Sequence, residues 1–159
     1  MIRDQSQITI NASPDQVFTV IEEMPNKFPA YKIMDTRPMI FMRLLFVDGL
    51  RSAIDSYSLK TPIEDVFIMK LSDSYGPFKL TTVEKPSKYW FTLKSFFFNC
   101  RTGYNLGCFE NQTKLEFFLV TDNPSFSEKL YWILVKPIHA VLARKVLKEI
   151  KAKVENLTI

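Results

Sequence analysis

The sequence predicts an α+β protein: a curved antiparallel β-sheet of about six strands wrapped around a long kinked C-terminal helix, with two shorter helices after the first strand. Three observations carry that expectation. Residues 63–121 fall into short segments rich in β-branched and aromatic residues, separated by turn signals. Residues from about 127 to 156 read as one helix, apolar in its first half and amphipathic in its second. No strand–helix–strand alternation runs through the chain, which argues against a doubly wound parallel sheet. The 159 residues carry no linker, internal repeat or low-complexity segment, so 1–159 is expected to form a single domain.

Taken in order, Ile8 and Ile10 alternate with polar residues, so Arg3 to Ile10 reads as the first strand. In "NASPDQVF", Ser13 suits an N-cap, Pro14 the first helical position and Gln16 the third, a capping-box pattern. The helix is expected over Pro14 to about Glu23, ahead of Pro25 and Pro29. "RPMIFMRLLFVDGLRSAID" reads as a second helix opened by Pro38, with Phe41, Leu44, Leu45, Val47 and Leu50 as its apolar turns. The strand segments are "IEDVFIMKL", "FKLTTVEK", "KYWFTLKSF", "CRTGYNLGCF" and "TKLEFFLVT", with turns at "SDSYGP", "KPSK" and "ENQT". They form a meander of about five strands, and the first strand joins the same sheet.

Ser125 and Glu128 repeat the capping-box spacing at the start of the last helix. At about 100° per residue, Val135, His139, Val146, Ile150, Val154 and Leu157 fall on one stripe, joined by Trp132 and Ala143. Tyr131, Leu134, Ile138 and Val141 make a second apolar face on the first half. The run is too short to span a bilayer and Lys136 interrupts it. Burial between the sheet and the "FMRLLFV" helix is the default for this second face. A peripheral membrane contact or a homodimer face is the alternative. Pro137 cannot donate to the carbonyl of Ile133, so a kink is expected there, leaving room between helix and sheet for a ligand.

Composition narrows function. A net charge of +4 comes partly from Arg144, Lys145, Lys148, Lys151 and Lys153, which read as a solvated face opposing the helix macrodipole. Basic residues interleave with acids and the aromatics read as buried, so nucleic acid is not expected as a partner. Four glycines speak against a Gly-rich phosphate loop. Cys100 and Cys108 have no metal-ligand spacing, and with no signal peptide ahead of them they fit a reducing cytoplasm. Neither a metal nor a cofactor is expected.

This order of elements resembles the START-like, or Bet v 1-like, helix-grip superfamily of polyketide cyclases and lipid-transfer domains. "ITINASPDQVFTVIEEM" looks like its opening strand and helix. "LYWILVKPIHAVLARKVLKEI" is similar to the last helix of an uncharacterised branch found alone or fused to NAD-binding Rossmann domains, with Tyr131, Trp132, Pro137, Ile138 and His139 in the matching positions. No Rossmann module accompanies it here. The resemblance implies a cavity between sheet and helix for a hydrophobic or lipid-like ligand, and it implies no particular reaction.

The candidate ligand-binding residues are Trp132, His139, Val135, Trp90, Phe96, Phe98, Tyr104, Phe117 and Met42. His139, the sole histidine, suits acid–base work, although on an apolar stripe a lone histidine more often completes a hydrogen-bonded core. Phe96, Phe98, Cys100, Thr102, Tyr104, Leu106 and Cys108 share a face if their strand is continuous, while a turn near Asn99 would reset the phase. Leu115, Phe117 and Leu119 share another face, which puts Glu116 outward, and Trp90 is read as pointing inward. Asp48, Asp55, Glu64 and Asp65 show no paired-carboxylate spacing. Three readings stand: a carrier or sensor of a small hydrophobic molecule, a cyclase- or hydratase-type enzyme using His139 with Tyr57 or Tyr104, and a membrane-surface or dimerisation module. No residue is assigned a catalytic role.

Overall fold

The computed structural model describes residues 1–23, 70–75, 78–94, 98–110 and 112–157. Strand β1 covers Ile2–Ile10 and helix α1 Pro14–Glu23. Strands β2 (Ser74–Tyr75), β3 (Phe78–Glu84), β4 (Lys88–Lys94), β5 (Asn99–Phe109) and β6 (Gln112–Thr121) follow, and helix α2 runs over Phe126–Leu157. The strands form one antiparallel sheet in the order β1-β6-β5-β4-β3-β2. A curved antiparallel sheet closed by a long C-terminal helix is the helix-grip fold, as expected.

Both capping boxes form. Ser13 Oγ accepts the Gln16 amide at 3.4 Å, and Gln16 Oε1 accepts the Ser13 amide at 3.0 Å. At α2, Ser125 Oγ accepts the Glu128 amide at 3.2 Å and Glu128 Oε2 accepts the Ser125 amide at 2.8 Å. Glu128 does more than cap. Its Oε1 accepts the Asn99 amide at 3.0 Å, tying the start of the helix to the start of β5. These hydrogen bonds, the Ser125 amide first, hold the Glu128 carboxyl below its ordinary range.

Three further polar contacts fix α2 along β1 and the residue that follows it. His139 Nδ1 meets Asp4 Oδ2 at 2.9 Å. Near the far end Lys151 Nζ donates to the Thr9 carbonyl at 2.9 Å, and Glu155 Oε1 accepts the Asn11 amide at 3.1 Å. Twelve residues of helix rise about 18 Å and five of strand about 17 Å. The chain positions of these contacts therefore lay the helix nearly parallel to β1, consistent with α2 packing chiefly on that strand.

Two apolar clusters fill the space between sheet and helices. The larger joins Val17, Phe18, Val20 and Ile21 of α1 to Val146, Leu147, Ile150 and Val154 of α2 and to Ile10, Leu80, Tyr89, Tyr104 and Leu115 of the sheet. The smaller joins Ile2, Leu93, Phe98, Cys100, Leu119 and Trp132. Each aliphatic side chain fully buried this way contributes about 1.5–3 kcal/mol. The inward threonines are satisfied by carbonyls: Thr102 by Phe118 at 2.7 Å, Thr113 by Ala12 at 2.7 Å and Thr121 by Asn99 at 2.8 Å.

Several expectations change. The stripe on α2 includes Leu147, which is buried, whereas Leu157, the last residue of the helix, is exposed. Among the described residues nothing covers the second apolar face of α2: Leu134, Ile138 and Val141 are exposed. The "SDSYGP" segment is not turn throughout, because Ser74 and Tyr75 pair with Lys79 and Phe78 as a short edge strand. Lys70 and Leu71, at the end of "IEDVFIMKL", are not strand. The rest of that segment, and the "RPMIFMRLLFVDGLRSAID" helix, lie outside the described residues. Helix α2 continues through Pro137, which faces solvent. The hydrogen bond missing at Ile133 is thus on the outer side, where an opened ladder bends a helix around its core.

Gly103 is demanded by the sheet. Its φ is +153°, and a Cβ there would sit 2.4 Å from the Tyr89 carbonyl oxygen and 2.7 Å from Trp90 Cα. Gly103→Ala should therefore destabilise the protein by about 2 kcal/mol or more in chemical denaturation. A loss within error of zero would show that β4 and β5 are not held this close.

Candidate functional site

The concave face of the sheet is set by alternation. Counting back from buried Ile10, the residues Ile8, Ser6, Asp4 and Ile2 point toward α2. Their neighbours on β6 are Thr113, Leu115, Phe117, Leu119 and Thr121. On β5 the same face carries Cys100, Thr102, Tyr104 and Leu106, so that strand keeps its phase from Asn99 onward. Cys108, beyond the core, is exposed.

Aromatic rings from sheet and helix form a continuous row across this face. Tyr131 lies 5.6 Å from Phe98, and Phe98 stacks on Trp132 at 5.7 Å with 9° between planes. Trp132 meets His139 edge-on at 5.3 Å, His139 stacks on Phe117 at 5.7 Å, and Phe117 packs on Tyr104 at 5.3 Å. Tyr104 is paired across the strands with Tyr89, which contacts Phe91 at 5.2 Å and Phe18 at 5.9 Å. Such offset and edge-on pairs add about 0.5–1.5 kcal/mol each beyond their buried area.

Burial varies along the row. Phe98, Trp132, Tyr104 and Tyr89 are buried, whereas Tyr131, His139, Phe117 and Phe91 are only partly so, as are Val135, Ser6 and Asp4. The two apolar clusters therefore flank a half-buried polar centre, the Asp4–His139 pair. Burial pushes the His139 imidazole below its ordinary value, and the hydrogen bond and charge of Asp4 oppose that without reversing it. That direction favours the neutral ring at pH 7. A carboxylate only accepts, so Nδ1 carries the proton and donates to Asp4. Nε2 is left as an acceptor, and no hydrogen bond reaches it among the described residues.

The neighbouring titratable groups are inert by comparison. Burial raises the Cys100 thiol to about 12, aided by the Glu128 charge. The Tyr131 hydroxyl is likewise raised to about 12, and that of Tyr104 is raised too, by burial first in each case. Tyr89 rises to about 12 through burial and then the charges of Glu22 and Asp73. Its buried hydroxyl finds no hydrogen-bond partner among the described residues. An unsatisfied buried hydroxyl costs about 1–3 kcal/mol.

Of the nine residues expected at the site, Trp132, His139, Val135, Phe98, Tyr104 and Phe117 are gathered between the sheet and α2. Phe96 and Met42, like Tyr57, lie outside the described residues. Trp90 is corrected: it follows inward Tyr89 and so points to the opposite, convex face. There its ring packs on Phe118 at 5.4 Å, above Gly103, and its indole N–H donates to Asn105 Oδ1 at 2.8 Å. Asn105 in turn donates to Glu116 Oε1 at 3.1 Å, confirming Glu116 as outward. Asp4 was not among the expected residues. Alternation read back from Ile10 places it inward, and an inward carboxylate in a chain with one histidine is a signal for that pairing.

An open cleft of about 200 Å³ lies elsewhere, between α1 and the end of α2, lined by Gln16, Thr19, Val20, Glu23, Val154 and Leu157. Its lining shares no residue with the ring row and brings no titratable pair together.

No protein-family model and no curated protein matches the chain. Solved structures do. Protein Ms6760 from Mycobacterium smegmatis aligns over 98% of this chain and 92% of its own at 10% identity, with a TM-score of 0.56. The Aha1 dimer from Colwellia psychrerythraea covers 95% and 97% at 14% identity and a TM-score of 0.46. Ara h 8.0201 covers 98% of both chains at 10% identity and a TM-score of 0.46. The first is a likeness of fold; the other two are too distant to argue from.

His139 should titrate below the 6.5 of a free imidazole when followed by NMR, and lower still in Asp4→Asn, which removes the opposing influence. With the folded value depressed, the stability linked to this group is complete above about pH 6.5 and is lost as pH falls toward the folded value. A midpoint above 6.5 would show that Asp4 outweighs burial and that the ring is charged near neutral pH.

Proposed function

We propose that the concave face holds a small hydrophobic or lipid-like molecule between the sheet and α2, against Phe117, Trp132 and Val135. The observation that carries this reading is the free Nε2 of His139, held by Asp4 at the centre of a row of aromatic rings. Ligand sites commonly pair an apolar, aromatic lining with a few fixed polar groups. A hydroxyl or protonated carboxyl on the ligand would donate to Nε2, while its apolar body lay along the rings. The protein would act as a carrier or sensor of that molecule.

The same pair favours a second reading. An imidazole oriented by a carboxylate suits general acid–base catalysis of the cyclase or hydratase type. The two readings separate on the fate of the ligand. A carrier returns it unchanged from wild type and from His139→Gln alike. An enzyme alters it, and only when His139 is present.

Native mass spectrometry of protein purified from cells tests the shared core of both. A retained hydrophobic mass is expected on the wild type, and Phe117→Ala and Trp132→Ala should each lower its occupancy about tenfold. Trp90→Ala, on the convex face, should leave it unchanged. Occupancy insensitive to all three substitutions, or no retained mass and no uptake of added fatty acid, would overturn the reading.

A further inference from the structure

The outward face of α2 carries a feature that the ring row does not use. Phe126, Leu130, Ile133, Leu134, Ile138 and Val141 are all exposed, with Phe126 at 84% and Ile133 and Leu134 at 67%. At 100° per residue they share one side of the helix, the side opposite His139 and Trp132. Solvent-exposed Pro137 lies among them. Four turns of contiguous apolar surface exceed the scattered single side chains that a surface ordinarily shows.

The same side then changes character. Arg144, Lys145 and Lys148 continue it, all exposed, and exposed Lys129 and Lys136 border the apolar part. From Lys129 to Lys148 there are five cations and no carboxylate, in a chain with 17 acidic residues. Glu128, just before this span, is occupied by the amides of Ser125 and Asn99. No helix among the described residues is long and apolar enough to cross a membrane.

We infer that the outward face of α2 docks onto the surface of an anionic phospholipid bilayer. The apolar half enters the boundary between headgroups and acyl chains, and the basic residues meet the lipid phosphates and carboxylates. A second copy is the poorer occupant. Parallel pairing of two such faces would set like charges against each other, and antiparallel pairing would bring the Lys136 side chains of both copies together while leaving Arg144, Lys145 and Lys148 outside the shared apolar contact with no anionic partner. The surface does not depend on the ligand reading, since Trp132 and His139 face the other way.

Co-sedimentation with phosphatidylcholine vesicles, with and without phosphatidylserine, tests the inference. Wild type should partition at least about tenfold more strongly onto the anionic vesicles, and less so as salt is raised. The pair Ile133→Asp and Leu134→Asp should abolish binding, and Lys145→Glu with Lys148→Glu should weaken it about tenfold. All four side chains are exposed, so unchanged thermal melts are expected. The salt series on wild type reads the same interaction without any substitution. Equal partition onto both vesicle types would overturn the inference. So would a lipid-free dimer broken by the aspartate pair, or protection of the apolar stripe from radical labelling in lipid-free monomer.

Discussion

The structure depends on how α2 is laid along β1. A long amphipathic helix can slide or rotate on an apolar sheet at little cost, because hydrophobic attraction has no direction. Here three groups of hydrogen bonds remove that freedom: Glu128 to Asn99, His139 to Asp4, and Lys151 and Glu155 to Thr9 and Asn11. The apolar stripe supplies the attraction, and these contacts choose one position among many. Once that position is set, Trp132 must meet Phe98, and Val146, Ile150 and Val154 must meet α1 and the sheet.

The same placement explains the site. A fully apolar seam would be the more stable way to join helix and sheet. Instead Asp4 and His139 stand in the middle of it, with buried Trp132 on one side and partly buried Phe117 on the other. The smaller cluster and the larger one are each complete without this pair. A carboxylate placed to hold one tautomer of an imidazole, with no hydrogen bond to the second nitrogen among the described residues, has a chemical use that packing alone does not require.

Much of this was legible in the sequence, for local reasons. Capping boxes are short-range chemistry, so Ser13, Gln16, Ser125 and Glu128 announced both helix starts. Period-two alternation gave the inward faces of β5 and β6, and period 3.6 gave the buried stripe of α2. What was not legible depends on strand phase and long-range pairing. Trp90 was misjudged because an aromatic residue in a strand carries no mark of which face it takes, and only its pairing opposite Gly103 decides. Asp4 went unnoticed because its partner lies 135 residues away. Apolar residues all round a helix usually mean a fully enclosed one, but the helix expected to cover the second face of α2 lies outside the described residues, and those that are described leave that face exposed.

The chain has two tryptophans, and they stand on opposite faces of the sheet. That makes the central claim directly measurable. A fatty acid carrying bromine on its chain quenches a nearby indole, so Trp90→Phe and Trp132→Phe report the two faces separately. Binding on the concave face predicts saturable quenching of Trp132 in Trp90→Phe and none of Trp90 in Trp132→Phe. Quenching of Trp90, or of neither indole, would contradict the account.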